Sequence, residues 1–229
     1  MYKRYIKRFM DIVLSGIVLI VLSPVFLVLA IVIRIKLGKP VFFTQTRPGL
    51  HGTPFRMYKF RTMIDAQTRD GRKITDEERL DCIEKGIEVL SDAERLPKLG
   101  RLLRATSLDE LPELWNIFIG DMSIVGPRPL AMIYLPYYSK TEMRRHDVRP
   151  GLTGWAQVHG RNTASWAKRF EYDLYYVDHC SIMLDIKTII HTIAIVFQRE
   201  GIGQGEEKPE AFNIIRQREW EDGIILKDR

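Results

Sequence analysis

A run of 22 residues, Ile12 to Ile33, carries no charge and is broken at its midpoint by Ser23-Pro24. At about 1.5 Å rise per residue, a helix of that length measures ~33 Å, enough to cross a bilayer core. A proline at its centre removes an i→i−4 hydrogen bond and kinks it. Lys3, Arg4, Lys7 and Arg8 precede the run and Arg34, Lys36 and Lys39 follow it, so flanking charge assigns neither end to the far side. Two readings stay open on these residues: a kinked single span, and a re-entrant helix-break-helix that enters one leaflet and returns. No small-residue cleavage site follows Ile33, which argues against a secretory leader.

The charge sits around this run. Of a net +6 for 229 residues, the first 64 carry +10, because no acid occurs from residue 12 to residue 64. Such an excess suits anionic lipid head groups or a phosphorylated substrate at a membrane. Nucleic acid is disfavoured, because no aromatic-basic interleaving or nucleic-acid motif is present. A mean hydropathy of −0.14 excludes a multi-span protein. Cys82 and Cys180 are too few for a disulfide framework and lack zinc spacing, so they read as reduced thiols in a cytoplasmic compartment.

Beyond Gly38 the pattern turns to strands. Val41 to Gln45 and Phe55 to Phe60 flank a turn-rich Pro48 to Pro54, which predicts a β-hairpin. Residues 65–95 hold ten acids and six bases, a solvated segment whose Leu80, Ile83, Ile87 and Leu90 predict an amphipathic helix from Asp76. Ile182 to Phe197 predicts a long helix with Ile182, Ile186, Ile189, Ile190, Ile193 and Val196 on one face. A buried core is the commoner origin of such a stripe; the bilayer interface, or a second copy of the chain, is the alternative. From Glu206 the sequence is charged, with Trp220 and Ile224 to Leu226 as docking points.

Few residues suggest chemistry on their own. Gly201, Gly203 and Gly205 follow a helix instead of a strand and read as a C-terminal cap, not a nucleotide loop. The five histidines show no ligand spacing. Ser107-Leu108-Asp109-Glu110-Leu111-Pro112 is more informative. Ser107 and Glu110 fit a capping box, and Asp109 fits a carboxylate at a helix start. Adjacent carboxylates can also share a divalent cation with substrate phosphate, and one of them could attack phosphorus. Lys59, Arg61, Arg104 and Arg128 lie at turns or element ends from which they could converge on a diphosphate. In Gly126-Pro127-Arg128-Pro129, two prolines restrict the backbone around one guanidinium.

The chain resembles the bacterial sugar transferases, the small monotopic phosphoglycosyl transferases. The resemblance rests on the run broken at Ser23-Pro24, Phe43 to Gly49, Lys59-Phe60-Arg61-Thr62-Met63, Ser107 to Pro112, Gly120 to Pro129, Arg149 to Gly154, and Tyr172 to Asp185. It implies an α+β fold comprising a re-entrant membrane helix at 1–38, a mostly helical catalytic domain with a β-hairpin and interfacial amphipathic helices at 39–205, and a tail at 206–229. It implies an enzyme on the cytoplasmic face of the bacterial inner membrane. That enzyme transfers sugar-1-phosphate from a UDP-sugar, in small members commonly an N-acetylated one such as di-N-acetylbacillosamine, to polyprenyl phosphate. Asp109 matches the nucleophile and Glu110 its partner, the two holding Mg²⁺, while Lys59, Arg104 and Arg128 match phosphate or nucleotide contacts. Residues 70–95 are longer than in the smallest members, and the tail matches no block.

The competing reading is a membrane-anchored scaffold of the same fold without turnover. Asp109, Glu110 and Arg128 argue against it, since a scaffold has no chemical need for them.

Overall fold

The computed structural model describes residues 2–75, 78, 81–83, 85–160, 164–198 and 210–224. Over these the chain is mostly helical, with two two-stranded sheets among the described residues. In chain order come α1 (Lys7–Val21), α2 (Ser23–Lys36), β1 (Phe42–Pro48), β2 (Pro54–Phe60), α3 (Lys98–Ala105), a 3-10 turn (Leu108–Glu110), α4 (Glu113–Ile119) and β3 (Ser123–Val125). Then follow α5 (Lys140–Met143), β4 (Gly151–Thr153), α6 (Trp155–His159), α7 (Trp166–His179), α8 (Ile182–Gln198) and α9 (Phe212–Glu221). The chain divides into two compact units. One holds Met1–Val21, Thr44–Tyr58 and Glu113–Arg229, and the other Leu22–Phe43 and Lys59–Pro112.

The expected break falls where Ser23-Pro24 placed it. Pro24 stands in the first turn of α2, where its missing N–H is harmless, and the axis bends by 62° between α1 and α2. No single described helix is long and apolar enough to cross a membrane; by length and composition, the bent pair taken together is. α1 is inverted relative to a soluble helix. Its buried residues are Lys7, Asp11 and Ser15, while Phe9, Ile17, Ile20 and Val21 are exposed. The polar stripe is fully used: Lys7 pairs with Asp185 at 2.5 Å, and Asp11 accepts hydrogen bonds from Ser123 Oγ and the Ile124 N–H.

In the same unit, β3 and β4 form a short parallel ladder with Ser123 opposite Gly151 and Val125 opposite Thr153. A Cβ on Gly126 would lie 2.3 Å from the Arg149 carbonyl oxygen, so only glycine permits this approach. Val125, Val148, Trp155, Tyr176, Val177 and Leu184 form the core above it. Asn116 ties α4 to β2, donating to the Arg56 carbonyl and accepting from the Tyr58 N–H.

Two expectations are corrected. The helix from Asp76 does not run to Leu90. Gly86 adopts φ +70, Thr68 bridges to Val89, and Ile83 and Ile87 are exposed; Asp76 and Leu80 lie outside the described residues. The apolar stripe of α8 is not a core face, for Ile182, Ile186, Ile190, Ile193 and Val196 are exposed and Ile189 alone of the six packs against the core. Its inward face is instead Leu184, Asp185 and Thr188, because Asp185 receives Lys7, Tyr2 and Tyr176. The predicted hairpin is present as β1 and β2. Gly201, Gly203 and Gly205 lie outside the described residues.

Candidate active site

The second unit is built around Ile33, Phe60 and Leu103, with Phe26, Leu29, Val41, Leu108 and Leu111 packed against them. This core positions the carboxylates. Leu108 and Leu111 turn inward and hold the 3-10 turn between them, which leaves Asp109 and Glu110 half-buried at its surface. Pro112 cannot donate to a preceding carbonyl, so the chain makes one tight turn and restarts as α4 at Glu113.

The expected capping box is absent. Ser107 adopts φ 54 and ψ 18 and makes no side-chain cap hydrogen bond. An N-cap residue needs extended backbone, which this left-handed conformation denies. Glu110 instead accepts a hydrogen bond from Lys59 Nζ at 2.6 Å, with both side chains largely buried. Lys59 comes from the end of β2, so a strand exit and the 3-10 turn meet through this pair.

Arg104 lies on the last turn of α3 and donates from Nε to Thr62 Oγ1 at 3.0 Å. Helix α3 comes this close because Gly100 lies against the Thr62 carbonyl, where a Cβ would stand at 1.9 Å. Burial, reinforced by the neighbouring Glu110 carboxylate, pushes Asp109 above the usual carboxylate range, while Lys59 and Arg104 pull it back.

Arg61 is buried and held differently. Its guanidinium donates to the Met63 carbonyl at 2.9 Å, to the Lys39 carbonyl, and to Asp65, and so braces the exit of β2. Arg128 belongs to the other unit. It follows β3 and is exposed between two buried prolines, Pro127 and Pro129, lining a shallow recess with Pro48 and Pro150. Arg145 supports it from below, donating to the Arg128 carbonyl at 2.8 Å and pairing with buried Asp173 at 2.7 Å.

The residues that sequence reasoning passed over are supporting ones. Thr62 lies in Lys59-Phe60-Arg61-Thr62-Met63, and nothing in that stretch signals its bond to Arg104. Leu108 and Leu111 were visible only as the apolar flanks of the dyad.

A cation at this site would have two adjacent carboxylates to use, since no group of three or more His, Cys, Asp or Glu able to hold a metal occurs among the described residues. Two carboxylates suit Mg²⁺, which keeps several waters and completes its shell with substrate phosphates, and do not suit a fully protein-ligated ion.

Comparison with known proteins places the chain among sugar transferases. A family profile described as "Bacterial sugar transferase" matches residues 2–199. An uncharacterised sugar transferase, EpsL of Bacillus subtilis (strain 168), is 47% identical over 199 residues, covering 87% of this chain and 91% of the relative. The UDP-glucose:undecaprenyl-phosphate glucose-1-phosphate transferase of Escherichia coli (strain K12) is 37% identical over 198 residues, 83% of this chain. A UDP-N-acetylgalactosamine-undecaprenyl-phosphate N-acetylgalactosaminephosphotransferase of Aeromonas hydrophila is 33% identical over 198 residues, 84% of this chain. The chain spans only 40% and 44% of the length of these last two.

Proposed function

The chain belongs to the bacterial sugar transferase family, and we propose that it moves a sugar-1-phosphate from a UDP-sugar to polyprenyl phosphate, releasing UMP. The observation that carries this reading is the half-buried Asp109–Glu110 pair, set beside Lys59 and Arg104 in a chain whose relatives are named for that transfer.

The chemistry follows from the chain's own groups. An Asp109 carboxylate oxygen attacks the β-phosphorus of the UDP-sugar, and the bond from that phosphorus to the bridging oxygen breaks as UMP leaves. The phosphosugar is now an acyl phosphate on Asp109. A phosphate oxygen of the polyprenyl phosphate then attacks the same phosphorus, displaces the carboxylate and forms the polyprenyl diphosphate sugar. A carboxylate with a raised pKa is the more basic nucleophile, and the Lys59 charge favours its ionised, attacking form. Lys59 and Arg104 face the anionic diphosphate, and Arg128 is assigned a phosphate contact by the family resemblance. Arg61 serves by holding the strand exit that carries Lys59. Asp109 and Glu110 are the residues that would hold a Mg²⁺ ion, which when bound would supply charge neutralisation.

The same proposal places the enzyme on the cytoplasmic face of the bacterial inner membrane. In α1 the polar residues face inward and the apolar residues outward, and α8 exposes Ile182, Met183, Ile186, Ile190 and Ile193. Such faces suit an acyl environment flanked by anionic head groups, with the prenyl chain of the acceptor remaining in the leaflet. The segment bent at Ser23-Pro24 is then re-entrant. The test is UMP release from a panel of UDP-sugars, N-acetylated hexosamines and UDP-glucose included, with polyprenyl phosphate and Mg²⁺. Release from one donor names the sugar, and no release from any by folded protein favours the scaffold.

A further inference from the structure

Helix α9 lies beyond residues 2–199, the stretch matched by the family profile. It nevertheless packs into the first unit through buried, directional contacts. Phe212 is 1% exposed and stacks on Tyr138 at 5.3 Å between ring centroids, with Phe170 edge-on at 4.9 Å. Arg216 is buried and makes a two-pronged pair with Glu142, at 2.7 and 3.0 Å, while also donating to the Tyr137 carbonyl. Trp220, singled out in the sequence as a docking residue, stacks on Tyr137 at 5.3 Å.

These contacts converge on one short stretch. Tyr137, Tyr138 and Glu142 surround the capping box of α5, in which Ser139 and Glu142 bond each other's backbone. Tyr138 carries the effect inward. Arg145 lies over its ring and donates to its hydroxyl, and the same guanidinium holds the Arg128 carbonyl. A continuous set of contacts thus runs from Phe212 through Tyr138 and Arg145 to the backbone of Arg128.

We propose that α9 is a positioning strap for Arg128: it fixes Tyr138 and Arg145 so that the Arg128 backbone between Pro127 and Pro129 is held ready for an anionic substrate phosphate. This rests on the reading of Arg128 as a phosphate contact. Without α9 contacts, Tyr138 loses its stacking partner and Glu142 its guanidinium, and Arg145 gains room to leave the Arg128 carbonyl. Arg128 would then have to be ordered at each binding event, which weakens the interaction.

The test uses the full-length protein with Phe212→Ala, Arg216→Ala and the milder Trp220→Ala, each alone and combined with Arg128→Ala, after melting curves confirm folding. Two readouts apply: amide hydrogen exchange over residues 126–130, and kcat/KM for the UDP-sugar that wild type turns over. The strap variants are expected to exchange faster over 126–130 and to lose about tenfold in kcat/KM, a loss that disappears in the Arg128→Ala background. Arg216→Lys should recover part of it. Unchanged exchange, or a loss that persists in full without Arg128, overturns the strap. If Arg128→Ala alone leaves kcat/KM unchanged, the phosphate-contact reading fails and the strap falls with it; the exchange data then show whether α9 still orders that backbone.

Discussion

Lys59 Nζ lies 2.6 Å from Glu110 Oε1, joining the end of strand β2 to the turn that presents Asp109. The pair does more than hold two segments together, because the Lys59 charge also acts on Asp109, lowering a pKa that burial and Glu110 raise.

Asp109 must be ionised to attack, so activity falls as pH drops through its pKa. Lys59→Met removes the cation that favours the ionised form, and Asp109 then titrates higher. The acid limb of the kcat/KM profile is expected to move up by about one pH unit. A limb that stays in place while kcat/KM falls uniformly would separate Lys59 from Asp109 and leave it a substrate contact only.

Ser107 holds a left-handed backbone immediately before the dyad. For a residue with a Cβ this costs about 1 kcal/mol, and a β-branched side chain makes it worse. Ser107→Gly should be tolerated and Ser107→Val should be less stable than wild type by roughly 1–2 kcal/mol, read from denaturant midpoints. Equal midpoints for the two variants would mean that the turn is built differently.

Gly100→Ala places a methyl group 1.9 Å from the Thr62 carbonyl oxygen, which is backbone and cannot swing aside. Helix α3 must retreat, taking Arg104 from Thr62. A destabilisation of about 3 kcal/mol is expected, together with a loss of UMP release that survives in any protein still folded. A wild-type melting curve would contradict this packing.

His146 is buried beside Arg145, and burial together with that charge pushes its pKa down to about 4. The folded state therefore resists protonation that the unfolded chain accepts near 6.5. Its contribution is complete above that pH and is lost as pH falls from 6.5 towards 4, by up to roughly 3 kcal/mol. In His146→Gln the dependence of stability on pH across this window should flatten. An unchanged slope would assign it to other groups.

How much of this was legible beforehand depended on how local each cause was. The break at Ser23-Pro24, the hairpin and the adjacency of Asp109 to Glu110 all follow from neighbouring residues and were readable directly. The capping box at Ser107 misled, because its pattern is local while the left-handed turn is set by the Leu108 and Leu111 packing and by Pro112. The stripe on α8 suggested a core because apolar periodicity does not say which solvent it faces. The burial of Asp185 and Thr188, with Lys7, Tyr2 and Tyr176 bonded to Asp185, shows that the polar face is the inner one. Thr62 and Gly100 gave no signal at all, since their roles are a close approach between segments far apart in sequence.

The central claim is that Asp109 is the nucleophile. Folded protein incubated with its UDP-sugar and Mg²⁺ but without polyprenyl phosphate, then quenched and weighed intact, should gain the mass of one sugar-phosphate group. Peptide mapping should place that group on Asp109, and Asp109→Asn should neither gain mass nor release UMP. Sustained UMP release by Asp109→Asn, or an adduct on another residue, would contradict the account.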